Sequence, residues 1–149
     1  MKLSTKGRYG LKAMFELALY YGDGPIALKN IAEKQEISDH YLEQLVATLR
    51  KAGLVKSVRG AQGGYMLASD PKDITVGDII RTLEGPLAPS ECVMEEDPKA
   101  CERSKHCVTK MVWEKIRDNF NNVIDSITLE DMLQDYNKIK HKDNYMFYI

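Results

Sequence analysis

A chain of 149 residues, 44% apolar and 29% charged, has room for one folded domain with a real core and an appended element. The formal net charge of −1 excludes a uniformly basic nucleic-acid binder, yet the charge is divided. Residues 1–60 hold ten Lys/Arg against six Asp/Glu, and residues 61–149 hold eleven against sixteen. No apolar run approaches the roughly twenty residues of a membrane span. The opening MKLSTKGRYGLKAM carries charges throughout and no continuous apolar run, so no secretory leader is expected. The chain is therefore expected to be cytoplasmic, and its three cysteines to be thiols or metal ligands rather than disulfides.

Ser4 or Thr5 caps a first helix that the pattern carries to about Tyr21, with Leu11, Met14, Phe15, Ala18 and Leu19 on its apolar face. Gly22, Gly24 and Pro25 end it, and Pro25–Ala27 reads as a short strand. Leu28, Ile31 and Ala32 then mark a second helix, broken at Lys34–Ile37. Ser38 is a cap for a third, whose apolar face is Tyr41, Leu42, Leu45, Val46 and Leu49. Gly53 stands where a left-handed residue closes a helix. Leu54–Val58, a glycine-rich turn Arg59–Gly64, and Tyr65–Leu67 make a hairpin. Helix, turn, helix and hairpin in that order form a winged helix-turn-helix, with a probe helix for the major groove and a wing for the adjoining groove or backbone. An ordinary helical hairpin would share the periodicity; the arginine and three glycines of the wing turn favour the DNA reading. Ser38, His40, Tyr41, Glu43 and Gln44 are the DNA-facing candidates of the probe helix, and Arg59, Gly60, Gly63 and Gly64 those of the wing.

Beyond the wing, Ser69–Pro71 is a turn, and Thr75 caps a helix over Val76–Leu83 that Gly85 and Pro86 close. Leu87–His106 is irregular and acidic and carries Cys92 and Cys101; a loop of this length is usually functional or disordered. Val108–Ile127 is a long helix striped with Val112, Ile116, Phe120 and Val123 and widened by Trp113 and Ile124. It folds back on the core or pairs with a copy of itself. Thr128 and Asp131 resemble a capping box for a last short helix, Leu129–Tyr136. The apolar Tyr145–Ile149 is expected to dock on the body or on a partner.

Cys92, Cys101 and Cys107 have eight and then five residues between them, at the mouth of the long helix. Three such thiols suit an iron–sulfur centre. Zinc prefers pairs two to four residues apart, which are absent here. Three unrelated free thiols are the competing reading. An enzyme is not expected, since no G-x-x-x-x-G-K, H-E-x-x-H or G-x-S-x-G is present.

The opening STKGRYGLKAM, the probe helix SDHYLEQLVATLRKAGLV, the wing SVRGAQGGYML and the stretch VGDIIRTLEGP are long, contiguous and in order. Over roughly residues 1–136 the chain resembles the winged-helix regulators related to the iron–sulfur cluster regulator IscR and the cysteine-metabolism repressor CymR. The resemblance implies a homodimer on a pseudo-palindromic double-stranded operator, with half-sites about 34–36 Å apart. The long helix would be the dimerisation element, carrying Val112, Trp113, Ile116, Phe120, Val123 and Ile124. The fold class is then mainly α with a small β-hairpin wing. It divides into a winged helix-turn-helix over 1–84, a cysteine-bearing loop over 85–107, and a dimerisation helix with its tail over 108–149. CymR-like members share the wing and the final YMFYI, lack the cysteine triad, and work through a partner enzyme, which implies a regulatory protein partner. IscR-like members bind a [2Fe–2S] cluster through three cysteines, matched here at Cys92, Cys101 and Cys107. The first gap is eight residues rather than five, and Lys110 stands where the family's histidine is expected. The fourth ligand falls to His106, or to a carboxylate, Glu43 or Glu102. A third, nitric-oxide-sensing branch uses an aspartate where this chain has Arg8.

Overall fold

The computed structural model describes residues 2–94 and 101–147, the last three as backbone alone. Helix α1 spans Thr5–Leu19, α2 Leu28–Gln35 and α3 Asp39–Lys51. A hairpin of β1 (Val55–Val58) and β2 (Gly64–Leu67) follows, then α4 (Val76–Glu84), α5 (Val108–Ser126) and α6 (Leu129–Phe147). Single 3-10 turns lie at Pro71–Asp73, Glu91–Val93 and Ser104–His106. The architecture is mainly α with a two-stranded wing and a long helix near the C-terminus, as the sequence pattern indicates. No helix among the described residues is long and apolar enough to cross a membrane.

The caps read from the sequence hold. The Ser4 hydroxyl accepts from the Lys6 amide at 3.2 Å and the Ser38 hydroxyl from the Tyr41 amide at 3.3 Å. Thr75 and Asp78 close a reciprocal capping box on α4, and Thr128 and Asp131 make the same pair at α6. Several boundaries shift by a residue, and the ends of α1 and α6 differ by more. Helix α1 ends at Leu19 rather than near Tyr21, because Gly22 already follows in a left-handed turn. Helix α6 runs to Phe147, past the expected end at Tyr136. Residues 137–144 are polar apart from Ile139, and polarity suggested coil; but no Gly or Pro occurs after Pro98, so nothing stops the helix. The docking expected of Tyr145–Ile149 lies outside the described residues.

The principal core joins α1, α2, α3 and the wing through Met14, Leu17, Ile31, Leu42, Leu49 and Leu67. Leu129 of α6 is fully buried in the same core. The backbone ties it there: Val76 N–H donates to the Ile127 carbonyl at 2.8 Å and Leu129 N–H to the Ile74 carbonyl at 2.9 Å. A second cluster of Val76, Ile80 and Ile124 fastens α5 to α4, flanked by Phe120 and Ile127. The striped face of α5 is therefore divided. Phe120 and Ile124, expected in a seam between two copies, pack on the chain's own α4, while Val108, Met111, Val112, Ile116 and Val123 stay exposed.

The opening of α1 packs against the end of α4 through one carboxylate. Glu84 accepts from the Ser4 amide at 2.9 Å, the Gly7 amide at 3.0 Å and the Ser4 hydroxyl. A Cβ at Gly7 would fall 2.7 Å from Oε1 of this carboxylate, so a larger residue there would displace the end of the Glu84 side chain. Burial pushes the Glu84 carboxyl up, but the bonds from Ser4 and Gly7 and the charge of Lys6 outweigh it and hold the group below its ordinary value. A depressed carboxyl stabilises the fold above its unfolded-state value, and that stability fades as pH falls through the folded-state value. Acid unfolding of Glu84→Gln should accordingly lose part of the wild-type slope in this range while the neutral-pH fold persists. Parallel wild-type and variant acid titrations followed by circular dichroism would exclude the contribution.

Candidate functional site

Helix α3 buries Leu42, Leu45, Val46 and Leu49 and turns Asp39, His40, Glu43, Gln44, Ala47 and Thr48 to solvent. Arg50 and Lys51 occupy its last turn and Asp39 its first, each matching the helix dipole. On the exposed face, Gln44 Nε2 lies 3.3 Å from His40 Nε2, one turn earlier. Ser38 is exposed at the N-cap. Tyr41 is half-buried: its hydroxyl meets Thr5 Oγ1 at 3.1 Å and its ring meets Tyr9 edge-on at 6.1 Å. Tyr41 thus fixes the entry of α3 to the opening of α1, a contact between residues 36 positions apart that no local pattern announces.

The wing is antiparallel, with Val55 opposite Leu67 and Val58 opposite Gly64. Ile26, in the predicted short strand, adds a bridge to Tyr65 through paired hydrogen bonds of 2.8 and 2.9 Å. Gly64 has φ +155, and a Cβ there would strike the Ile26 carbonyl. A Cβ at Gly63 would strike the Val58 carbonyl. These two glycines build the hairpin, whereas Arg59 and Gly60 are exposed at its tip. Arg50 at the end of α3 donates to Ser57 Oγ at 3.2 Å and so ties the wing to the probe helix.

The cysteines are free thiols on separate short segments. Cys92 is half-buried in the Glu91–Val93 turn, its Sγ 3.3 Å from Ser90 Oγ. Arg117 of α5 holds that turn by donating to the Val93 carbonyl at 2.9 Å. Cys101 is exposed. Cys107 takes the N-cap position of α5. The Thr109 hydroxyl, 3.1 Å away, is the main influence lowering the Cys107 thiol below its ordinary value. The Lys110 and Thr109 amides and the Lys110 charge add to it, against desolvation, which pushes the thiol up. Lys110, standing where a family histidine is expected, donates to Ser104 Oγ at 2.7 Å and pairs with Glu114 at 4.0 Å, holding the Ser104–His106 turn against α5. His106 is exposed at the end of that turn, and Glu43 is exposed on α3. Glu102 is likewise exposed.

Among the described residues, no three His, Cys, Asp or Glu side chains are gathered into a metal-binding group. In donor chemistry the set fits an iron–sulfur group: three unpaired thiols, one of them held toward thiolate at a helix entrance. A hollow of about 260 Å³ beside Cys107 is lined by Ser104, His106, Lys110, Met111 and Glu114.

Residues 3–135 match the Rrf2 family, described as an iron-dependent transcriptional regulator. The chain is 54% identical to the HTH-type transcriptional regulator CymR of Bacillus subtilis over 149 residues, the whole of both chains. It is 41% identical to the HTH-type transcriptional regulator IscR of Photobacterium profundum over 92% of this chain and 78% of that one. The solved structure of T. potens IscR superposes with a TM-score of 0.75 at 57% identity, covering 91% of this chain and 88% of the other. These names are those of transcriptional regulators.

Proposed function

The chain belongs to the Rrf2 family of transcriptional regulators, and on that premise we propose that an iron–sulfur cluster held by Cys92, Cys101 and Cys107 controls its binding to DNA. The protein is a DNA-binding regulator rather than an enzyme. The observation that carries the cluster reading is a set of three free thiols, with Cys107 at the entrance of α5 drawn toward the thiolate that an iron ligand must be. The likeness to an IscR structure at 57% identity supports it. When bound, a [2Fe–2S] group supplies one-electron redox chemistry and a cross-link between segments. The chain's own residues prepare for it. Arg117 anchors the Cys92 turn to α5, and Lys110 anchors the turn before Cys107 to the same helix. His106, Glu43 and Glu102 are the candidates for a fourth ligand. On this reading residues 1–84 read DNA, 85–107 sense, and 108–149 join two copies across a pseudo-palindromic operator.

Iron and acid-labile sulfide analysis of anaerobically purified protein tests the proposal. Equimolar iron and sulfide, with visible absorbance that disappears in Cys92→Ser, Cys101→Ser and Cys107→Ser, is the expected result. Colourless, iron-free protein from the same preparation would leave the alternative, a cluster-free repressor of sulfur metabolism governed by a protein partner. The 54% identity to CymR is the observation that favours that second reading.

In either case α3 enters the major groove and Arg59 reaches DNA from the wing. Arg59→Ala should weaken operator binding by roughly 1–3 kcal/mol if the guanidinium reads a groove, or lower the salt slope by about one if it meets a phosphate. Fluorescence anisotropy across a salt series separates these, and unchanged affinity with unchanged slope removes Arg59 from the interface.

A further inference from the structure

The geometry points to His40 as a positioning residue for Gln44, fixing which carboxamide atoms of Gln44 face a base edge. The inference rests on the reading that α3 enters the major groove. His40 and Gln44 lie one helical turn apart on the solvent face of α3, where side chains at this spacing meet. Their Nε2 atoms are 3.3 Å apart. In a neutral ring with its proton on Nδ1, Nε2 is an acceptor, and the Gln44 amide is the donor. That bond uses one of the two amide hydrogens. When the hydrogen taken is the one trans to Oε1, the other hydrogen and Oε1 share one edge of the carboxamide, a donor beside an acceptor.

This is the pattern an adenine edge requires, with N7 accepting and the N6 amino group donating. A glutamine free to turn its amide over presents the same two atoms in either order, and one of the two orders mismatches adenine. With its proton on Nδ1 the imidazole selects the adenine-matching order before DNA arrives; with the proton on Nε2 it would donate to Gln44 Oε1 and select the other. Thr48 Oγ1 donates to the Gln44 carbonyl at 3.1 Å, so the backbone of Gln44 is also engaged from the following turn. His40 therefore shapes specificity through Gln44 without touching a base.

The test is site selection from a random duplex pool by the full-length wild-type protein and by His40→Ala, His40→Gln and Gln44→Ala, with thermal unfolding to verify that each variant is folded. The wild type should select adenine at one position of each half-site, and Gln44→Ala should lower that preference by roughly tenfold. His40→Ala should lower it at the same position by about threefold and leave the other positions as they were. Glutamine carries an acceptor Oε1 at the reach of imidazole Nε2, so His40→Gln should recover part of the preference. An unchanged preference in His40→Ala, a change at a different position, or no recovery in His40→Gln would each overturn the positioning role. If Gln44→Ala selects the wild-type pattern, the groove reading itself fails, a result distinct from any His40 outcome.

Discussion

Ile116→Asp is expected to turn the protein into a monomer in sedimentation and to lower operator affinity on the order of a hundredfold. The magnitude follows from losing the second half-site, since linked sites commonly gain 10²–10⁴ in avidity. Ile116 is 41% exposed, and the neighbouring Val112 and Val123 are 45% and 57% exposed, so this band of α5 is apolar without being covered by the chain itself. A charge placed there should spare the fold and strike association. Phe120→Asp would be a poorer probe, because Phe120 leans on the Val76–Ile80–Ile124 cluster and its loss would damage the monomer. A folded Ile116→Asp protein that remains dimeric would place the contact on another face.

Leu129→Ala should cost about 2–5 kcal/mol, the range for emptying a fully buried leucine site. That is a large part of the roughly 5–15 kcal/mol by which a domain is stable. The position lies far beyond the wing in sequence, yet its side chain is fully buried in the core that carries α2, α3 and the hairpin. Urea unfolding should therefore show a single transition moved to lower denaturant, with probe helix and C-terminal helix melting together. Two separate transitions, only the later unchanged, would mean that α6 is an appendage.

The helix-turn-helix and wing were legible because local chemistry marks them: a Ser38 cap, a glycine after α3 at Gly53, and glycines at the hairpin turn. The stripe on α5 was legible as amphipathic but not as two faces. Each four-residue step turns a side chain about 40° past the last, so Val108 and Phe120 lie roughly a third of a turn apart on one apparent stripe. The exposed and buried halves separate along that drift. Contacts between distant positions left no pattern to read. Glu84 on the start of α1 and Tyr41 on Thr5 are such cases, and each depends on how the helices stack. At the cysteines, spacing alone left a cluster and three unrelated thiols equally open. The structure adds the anchoring of two of their segments to α5 and the lowered thiol of Cys107.

The backbone bridge between Thr75 and Thr128 bears on how the protein is made. A chain growing from its N-terminus exposes the probe helix and wing early, but the hydrogen bonds from Val76 to Ile127 and from Leu129 to Ile74 require residues synthesised after α5. The DNA-reading unit is therefore finished after the cysteine segment and the apolar helix have left the ribosome. A nascent or prematurely terminated chain carries α3 and the wing without the last strut of their core.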